Sequence, residues 1–222
     1  MKIKKINGRP NAKEATGHVV TIDILRAATV EAYAFSKGAN YIIPVYDVEE
    51  AFNLKKENPS YILIGENDGH EIDGFDYGNS PSEIIKANLE GKILIHRSSS
   101  GTKGLVNAVN AQELIFGSFV TASAIVKYLH SKNPDTVSLL ALSKDDMICA
   151  DYLELLLQGH TPNVDLFKKK VYEEPSVSWF IDATMPEFPI TDLELALDFN
   201  IFNFICLVEK INGGLRTIRR NI

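Results

Sequence analysis

Short apolar runs recur along this 222-residue chain, and most are followed by a stretch with helical spacing. The runs are His18 to Ile24, Tyr41 to Pro44, Tyr61 to Ile64, Ile93 to Ile95, Glu113 to Phe116, Val137 to Leu142 and a last one at Phe204 to Val208. The expected helices are Ala27 to Lys37, closed by Gly38, then Gly101 to Ala108, Phe119 to Leu129 and Asp146 to Leu157. A further helix would start at Asp47, with Glu50 as the reaching carboxylate of a capping box. Strands that alternate with helices pair in parallel through the crossovers, and a parallel sheet is covered on both faces. The runs are mostly continuous in apolar character, as strands buried on both sides require. The expectation is therefore an α/β fold with a largely parallel sheet. No repeat and no Gly/Ser linker divides the chain, so residues 1–222 read as one domain. Residues 159–190 are a polar and aromatic stretch that fits a lid or an excursion.

Composition narrows the function. Apolar residues make up 45% and the net charge is −6, an ordinary globular balance that excludes a disordered or low-complexity chain. An acidic sum argues against a nucleic-acid partner. The basic cluster Arg216, Arg219 and Arg220 reads as a solvated or subunit-contacting end, the latter in a homodimer. Cys149 and Cys206 lack C-x-x-C spacing and read as reduced, buried thiols. No apolar run approaches the ~18–20 residues of a membrane-spanning helix, and Met1 to Pro10 lacks the apolar region of a secretory signal, so the default location is cytoplasmic.

Open α/β sheets bind ligands at the carboxyl ends of their strands, where helix N-termini offer unpaired N–H groups. The loop after the first run carries Asp23 and Arg26, which form either a buried ion pair or a metal-binding carboxylate with an anion-gripping guanidinium. The loop after the third, Gly65 to Pro81, holds five carboxylates and four glycines in 17 residues, Glu66 and Asp76 among them. Hard carboxylate oxygens suit Mg²⁺, and glycines permit close backbone approach. Its end, Asn79-Ser80-Pro81 with Glu83, looks like a capped helix start. Ser98-Ser99-Ser100-Gly101-Thr102 opens a helix as an anion cradle of amides and hydroxyls, and Ser118 and Thr121 do the same after the fifth run. Ser143-Lys144-Asp145-Asp146 follows the sixth. Together these loops describe a crevice for a small phosphorylated acid and a divalent metal.

The same residues resemble the 2-phosphosulfolactate phosphatase family. The likeness rests on Ile22-Asp23-Ile24-Leu25-Arg26-Ala27, Gly38-Ala39, Pro44 with Val48-Glu49-Glu50-Ala51, and Gly65-Glu66. It continues through Gly74-Phe75-Asp76-Tyr77-Gly78-Asn79-Ser80-Pro81, Gly101-Thr102, Gly117-Ser118 and Asp146 with Cys149-Ala150. It covers roughly residues 18–158. The resemblance implies a three-layer α/β/α fold with a mixed, largely parallel sheet. It also implies a Mg²⁺-dependent hydrolase that converts 2-phospho-3-sulfolactate to sulfolactate and phosphate, a step towards coenzyme M. The residues expected to act are Asp23, Arg26 and Asp76. Mg²⁺ would be held by Asp23, Glu66, Asp76 and Asp146. Substrate would meet Asn79, Ser80, Ser98, Ser99, Ser100, Gly101, Thr102, Ser118 and Thr121. The attacking group is either a polarised water or a carboxylate. Several positions depart from the family pattern: Ala28, Asn67 in place of an arginine, Ser100, Thr121 and Asp151. Those departures motivate the alternatives, another small phosphorylated substrate or a non-catalytic anion binder.

Overall fold

The computed structural model describes residues 1–222. Its chain runs β1 (Lys2–Asn7), β2 (Gly17–Ile22), α1 (Ala27–Ser36), β3 (Tyr41–Val45), α2 (Val48–Glu57), β4 (Ile62–Gly65), α3 (Pro81–Ile84), β5 (Ile93–Arg97) and α4 (Gly101–Asn107). It continues with β6 (Ala111–Gly117), α5 (Ala122–Lys132), β7 (Thr136–Ala141), α6 (Lys144–Leu157), α7 (Val164–Tyr172), α8 (Ser178–Ile181), α9 (Ile190–Ala196), β8 (Phe204–Ile211) and β9 (Gly214–Asn221). The strands form one nine-stranded sheet in the order β1-β7-β2-β6-β8-β9-β3-β5-β4.

Two parallel blocks, β1-β7-β2-β6 and β3-β5-β4, flank the antiparallel hairpin β8-β9. Both outer pairings of the hairpin are also antiparallel, so the second block runs opposite to the first. Sheets twist by about 20–25° per strand, so the four steps from β2 to β3 turn the strands by about 80–100°. Opposed blocks in a flat sheet would place their carboxyl ends on opposite edges. The accumulated twist allows those ends to approach one another.

Both faces are covered. In β2, Val20 and Ile22 pack into a core with Phe119, Ile125 and Leu153, whereas Val19 packs into the opposite core with Val30, Phe35 and Leu105. Residues alternate across a strand, so a strand buried on both sides must be apolar at successive positions. This three-layer α/β/α arrangement is the one expected.

Five local features differ from the sequence reading. Strand β1 is an edge strand, and its lysines lie at positions that are not buried, which hides the alternation expected of a core strand. The basic segment is an internal strand rather than a free end. In β9, Arg216 pairs with Glu209 at 2.7 Å and the Arg219 guanidinium lies 4.4 Å from the Phe204 ring centroid. Asp47 precedes α2 but its side chain makes no capping bond. Ser80 does cap α3, accepting from the Glu83 amide at 3.3 Å, while the Glu83 carboxylate takes the Gly78 amide at 2.8 Å instead of returning to Ser80. The 159–190 stretch forms α7, α8 and the start of α9. It buries Phe167, Val171, Val177, Phe180 and Phe188 in the core shared with α5 and α6. No helix is long and apolar enough to cross a membrane.

Candidate functional site

Asp23 leaves β2 at the centre of five strand-end loops. Its amide donates to Gly117 O after β6 (3.3 Å), and its Oδ1 accepts from the Ala27 amide at the start of α1 (3.0 Å). The next amide, Ile24, donates to Asp146 Oδ1 in the first turn of α6, which follows β7 (2.7 Å). Gly101, which opens α4 after β5, lies against Asp23. A Cβ at that position would stand 2.8 Å from Asp23 Oδ2 and 2.7 Å from both Ala27 Cβ and Phe116 Cζ. The loop after β4 joins through Glu66, whose Oε1 accepts from the Ser99 amide (2.5 Å) and whose Oε2 accepts from the Gly69 amide (2.7 Å) and Ser99 Oγ (3.0 Å). Gly65 makes this turn possible. Its φ of 140° is a glycine conformation, and a Cβ there would collide with the Arg97 carbonyl.

The result is a concentration of buried carboxyl groups. Asp23, Glu66, Asp145 and Asp146 are all buried. Burial pushes the Asp23 carboxyl up to about 7, the Ala27 amide opposes the rise, and the charges of Asp145 and Glu66 add to it. Burial raises Asp146 well above the ordinary carboxylate range, with Asp145 and Asp23 pushing the same way. Asp145 is raised as well, chiefly by burial. Ser143 Oγ lies 2.7 Å from Asp145 Oδ1 and 2.6 Å from Asp146 Oδ2. A hydroxyl carries one hydrogen, so two bonds at these contacts require a proton on one of the carboxyls.

A carboxyl whose folded pKa exceeds its unfolded value stabilises the fold fully below the unfolded pKa, and that stability is lost as pH rises through the folded one. For Asp23 the window runs from the ordinary 3.8 to about 7. In metal-free buffer the melting temperature is therefore expected to fall between pH 5.5 and pH 8. The free-energy loss should be on the order of a few kcal/mol. A melting temperature that is flat or climbs over this range contradicts the buried-carboxylate arrangement.

The structure gathers Asp23, Glu66, Asp146, Ser99, Ser100 and Gly101, with Asn79 close behind and Ser118 and Thr121 opening the helix after β6. Ser100 precedes α4 without a side-chain capping bond. Ser98 and Thr102 turn on each other: Ser98 Oγ accepts from the Thr102 amide (3.0 Å) and Thr102 Oγ1 donates to the Ser98 carbonyl (2.7 Å). They shape the loop from within. The Ser99 amide is already bonded to Glu66, so it is not a free donor for an anion. Thr121 Oγ1 donates to the Ser118 carbonyl at 3.4 Å, and the buried Ser118 hydroxyl has no partner.

Asp76 is not brought to the cluster. Its Oδ2 accepts from the Leu63 amide (2.7 Å) and from Lys55 Nζ (3.1 Å), three residues back along β4 from Glu66. The run Gly74 to Pro81 carries it alongside β4 as an added edge, and its carboxylate satisfies an edge-strand N–H. Arg26 does not pair with Asp23 either. Its Nη1 donates to Asp192 Oδ2 (2.8 Å) and to the Glu187 carbonyl (2.6 Å). Ser80 and Asn79 are similarly occupied, Ser80 Oγ donating to Asp192 Oδ1 (2.8 Å) and Asn79 Oδ1 lying 3.1 Å from His96 Nε2.

Sequence reasoning assigned no role to three contributors. Asp145, part of the Ser143 to Asp146 stretch, joins the carboxylate cluster beside Asp146. Asp192 is fully buried and lies far along the chain in a segment without a motif. The third is the buried pair of His96 on β5 and Glu31 on α1, 3.0 Å apart, which ties the two elements behind the loops. Arg97, which follows it, braces the site from the side: Nη1 donates to the Glu66 carbonyl and to Ser99 Oγ (2.8 Å), and Nε to the Tyr46 carbonyl (3.1 Å).

A mixed α/β sheet whose strand-end loops enclose buried carboxylates beside helix starts belongs to the class of proteins that handle a small charged ligand at the crevice of an open sheet. Residues 5–177 match the family described as 2-phosphosulpholactate phosphatase, and the chain belongs to that family. Among its relatives is a probable 2-phosphosulfolactate phosphatase of Thermoplasma volcanium, 31% identical over 217 residues, 96% of this chain and 98% of that protein. Proteins of the same name from Thermoplasma acidophilum and Bacillus subtilis are 35% and 30% identical. Their alignments cover 88% and 91% of this chain and 87% and 91% of theirs.

Proposed function

We propose that this chain is a phosphoric monoester hydrolase that releases phosphate from 2-phospho-3-sulfolactate or a close analogue, with Mg²⁺ as cofactor. One observation carries the reading: Asp23, Glu66, Asp145 and Asp146 converge at the strand ends in a chain whose relatives bear that phosphatase name. Water attacks phosphorus, the bond between phosphorus and the C2 oxygen breaks, and that oxygen leaves with a proton as the sulfolactate hydroxyl.

No three acidic, imidazole or thiolate side chains form a ready metal cage. Mg²⁺ is commonly held by one or two carboxylates together with substrate phosphate and water. Asp23 and Asp146, joined through the Ile24 amide, are the ligands this reading assigns, and their mutual repulsion is the charge a cation would offset. Mg²⁺ would neutralise phosphate oxygens as negative charge shifts in the transition state. Glu66, with both oxygens bonded to the loops after β4 and β5, holds the wall of the crevice. Asp23 orients the attacking water, and Arg26 receives an anionic group of the substrate.

The test is phosphate release from 2-phosphosulfolactate with Mg²⁺ and with excess chelator. Turnover is expected with metal, and at least a ~100-fold loss without it. No turnover under either condition, alongside thermal stabilisation by the same anion, would assign the crevice to binding alone.

A further inference from the structure

Arg26 is 5% exposed and Asp192 is 0% exposed, yet they lie on segments separated by 166 residues. One carboxylate does two jobs. Asp192 Oδ2 takes Arg26 Nη1 at 2.8 Å, while Oδ1 takes Ser80 Oγ at 2.8 Å and the Ser82 amide at 2.9 Å. The Glu187 carbonyl takes the same Arg26 nitrogen, and the guanidinium carbon sits 4.7 Å from the Phe188 ring centroid and 5.7 Å from that of Phe180. All the guanidinium's protein hydrogen bonds thus fall on Nη1. Nε and Nη2, which present two N–H groups in parallel, remain for a ligand, and that edge matches a carboxylate, sulfonate or phosphate. Phe188 also lies against the Gly69 turn, which is pinned to Glu66. The α8–α9 segment thereby reaches the wall of the carboxylate crevice.

We infer that Asp192 is a positioning residue, which orients Arg26 so that its free Nε/Nη2 edge receives an anionic group of the substrate. The inference rests on the proposed role of Arg26 in anion binding. The carboxylate bond, the carbonyl bond and two aromatic faces leave the guanidinium one orientation, so little ordering remains to be done when the anion arrives. Ser80 and Ser82 hold Asp192 in turn. This gives the Asn79-Ser80-Pro81 motif a function in the site, since the Ser80 hydroxyl is spent on Asp192.

The test is a double-mutant cycle with Arg26→Ala and Asp192→Asn, read as KM and kcat for 2-phosphosulfolactate, with a thermal melt of each variant. Arg26→Ala is expected to raise KM about 10- to 100-fold. Asp192→Asn should raise KM about tenfold alone and less than about twofold in the Arg26→Ala background, because its effect passes through the arginine. Multiplicative effects on KM would overturn the inference and leave Asp192 a purely structural residue. An unchanged KM in Arg26→Ala would instead remove the arginine from substrate binding. If Asp192→Asn does not fold, Arg26→Lys decides the question. It keeps the charge beside Asp192 but lacks the second edge, so KM should rise nearly as far as in Arg26→Ala with the melt close to wild type. Wild-type KM in Arg26→Lys would overturn the inference.

Discussion

Replacing Asp23 with Asn is expected to cut phosphate release on the order of 10³-fold while raising the melting temperature of the metal-free protein at pH 8. The two effects have one cause. Asp23 is buried among carboxylates, and its own carboxyl is held up to about 7, so at pH 8 it is charged against an unfavourable environment. The amide of Asn has nearly the same shape and keeps an oxygen for the Ala27 N–H. It removes the charge that burial and Asp145 oppose. Stability at pH 8 should rise by on the order of a few kcal/mol, and the fall between pH 5.5 and pH 8 should shrink. Activity should collapse because the group that orients water and offers charge to a cation is gone. Paired melts and phosphate-release rates of the two proteins check both halves. A variant that is both less active and less stable at pH 8 would show that Asp23 is simply part of the core.

Gly101→Ala is expected to lose most activity by a different route. The added methyl would stand 2.7 Å from Ala27 Cβ and from Phe116 Cζ, and 2.8 Å from Asp23 Oδ2. These are well inside van der Waals contact, and two of the neighbours are fully buried. Overpacking of this kind costs about 1–3 kcal/mol of stability. Relief requires α4 or the Asp23 carboxylate to move, and a shift of about 1 Å at a reacting group can cost ~100-fold in rate. A thermal melt with steady-state kinetics measures this. A variant with wild-type kcat would mean that Asp23 and the start of α4 do not share one site.

How much of this was legible in the sequence follows from how local each signal is. Strands β2 and β7 are apolar at successive positions because helices cover both faces, so their run of hydrophobic residues announces a buried strand. Strands β1 and β9 carry lysines and arginines whose charges reach solvent or pair locally, as Arg216 does with Glu209, and that masks the period of two. The loops after the strands were legible as a crevice because acids, hydroxyls and glycines recur there, and Asp23, Glu66, Ser99, Gly101 and Asp146 do meet. Within those loops, composition says nothing about where a carboxylate turns. Asp76 stands in the most motif-like run yet bonds an edge-strand amide. Asp192 has no motif around it yet anchors Arg26 and Ser80. Contacts across 110 to 166 residues depend on the packing of α9, which leaves no trace in local spacing.

The most direct measurement is a crystal structure of the protein grown with Mg²⁺ and phosphate. The expected density shows a metal bonded to Asp23 and Asp146, with phosphate against it near the start of α4 and an anionic oxygen facing Nε and Nη2 of Arg26. A metal bound beside Asp76 and Glu83, or phosphate at a surface remote from Asp23, would contradict it.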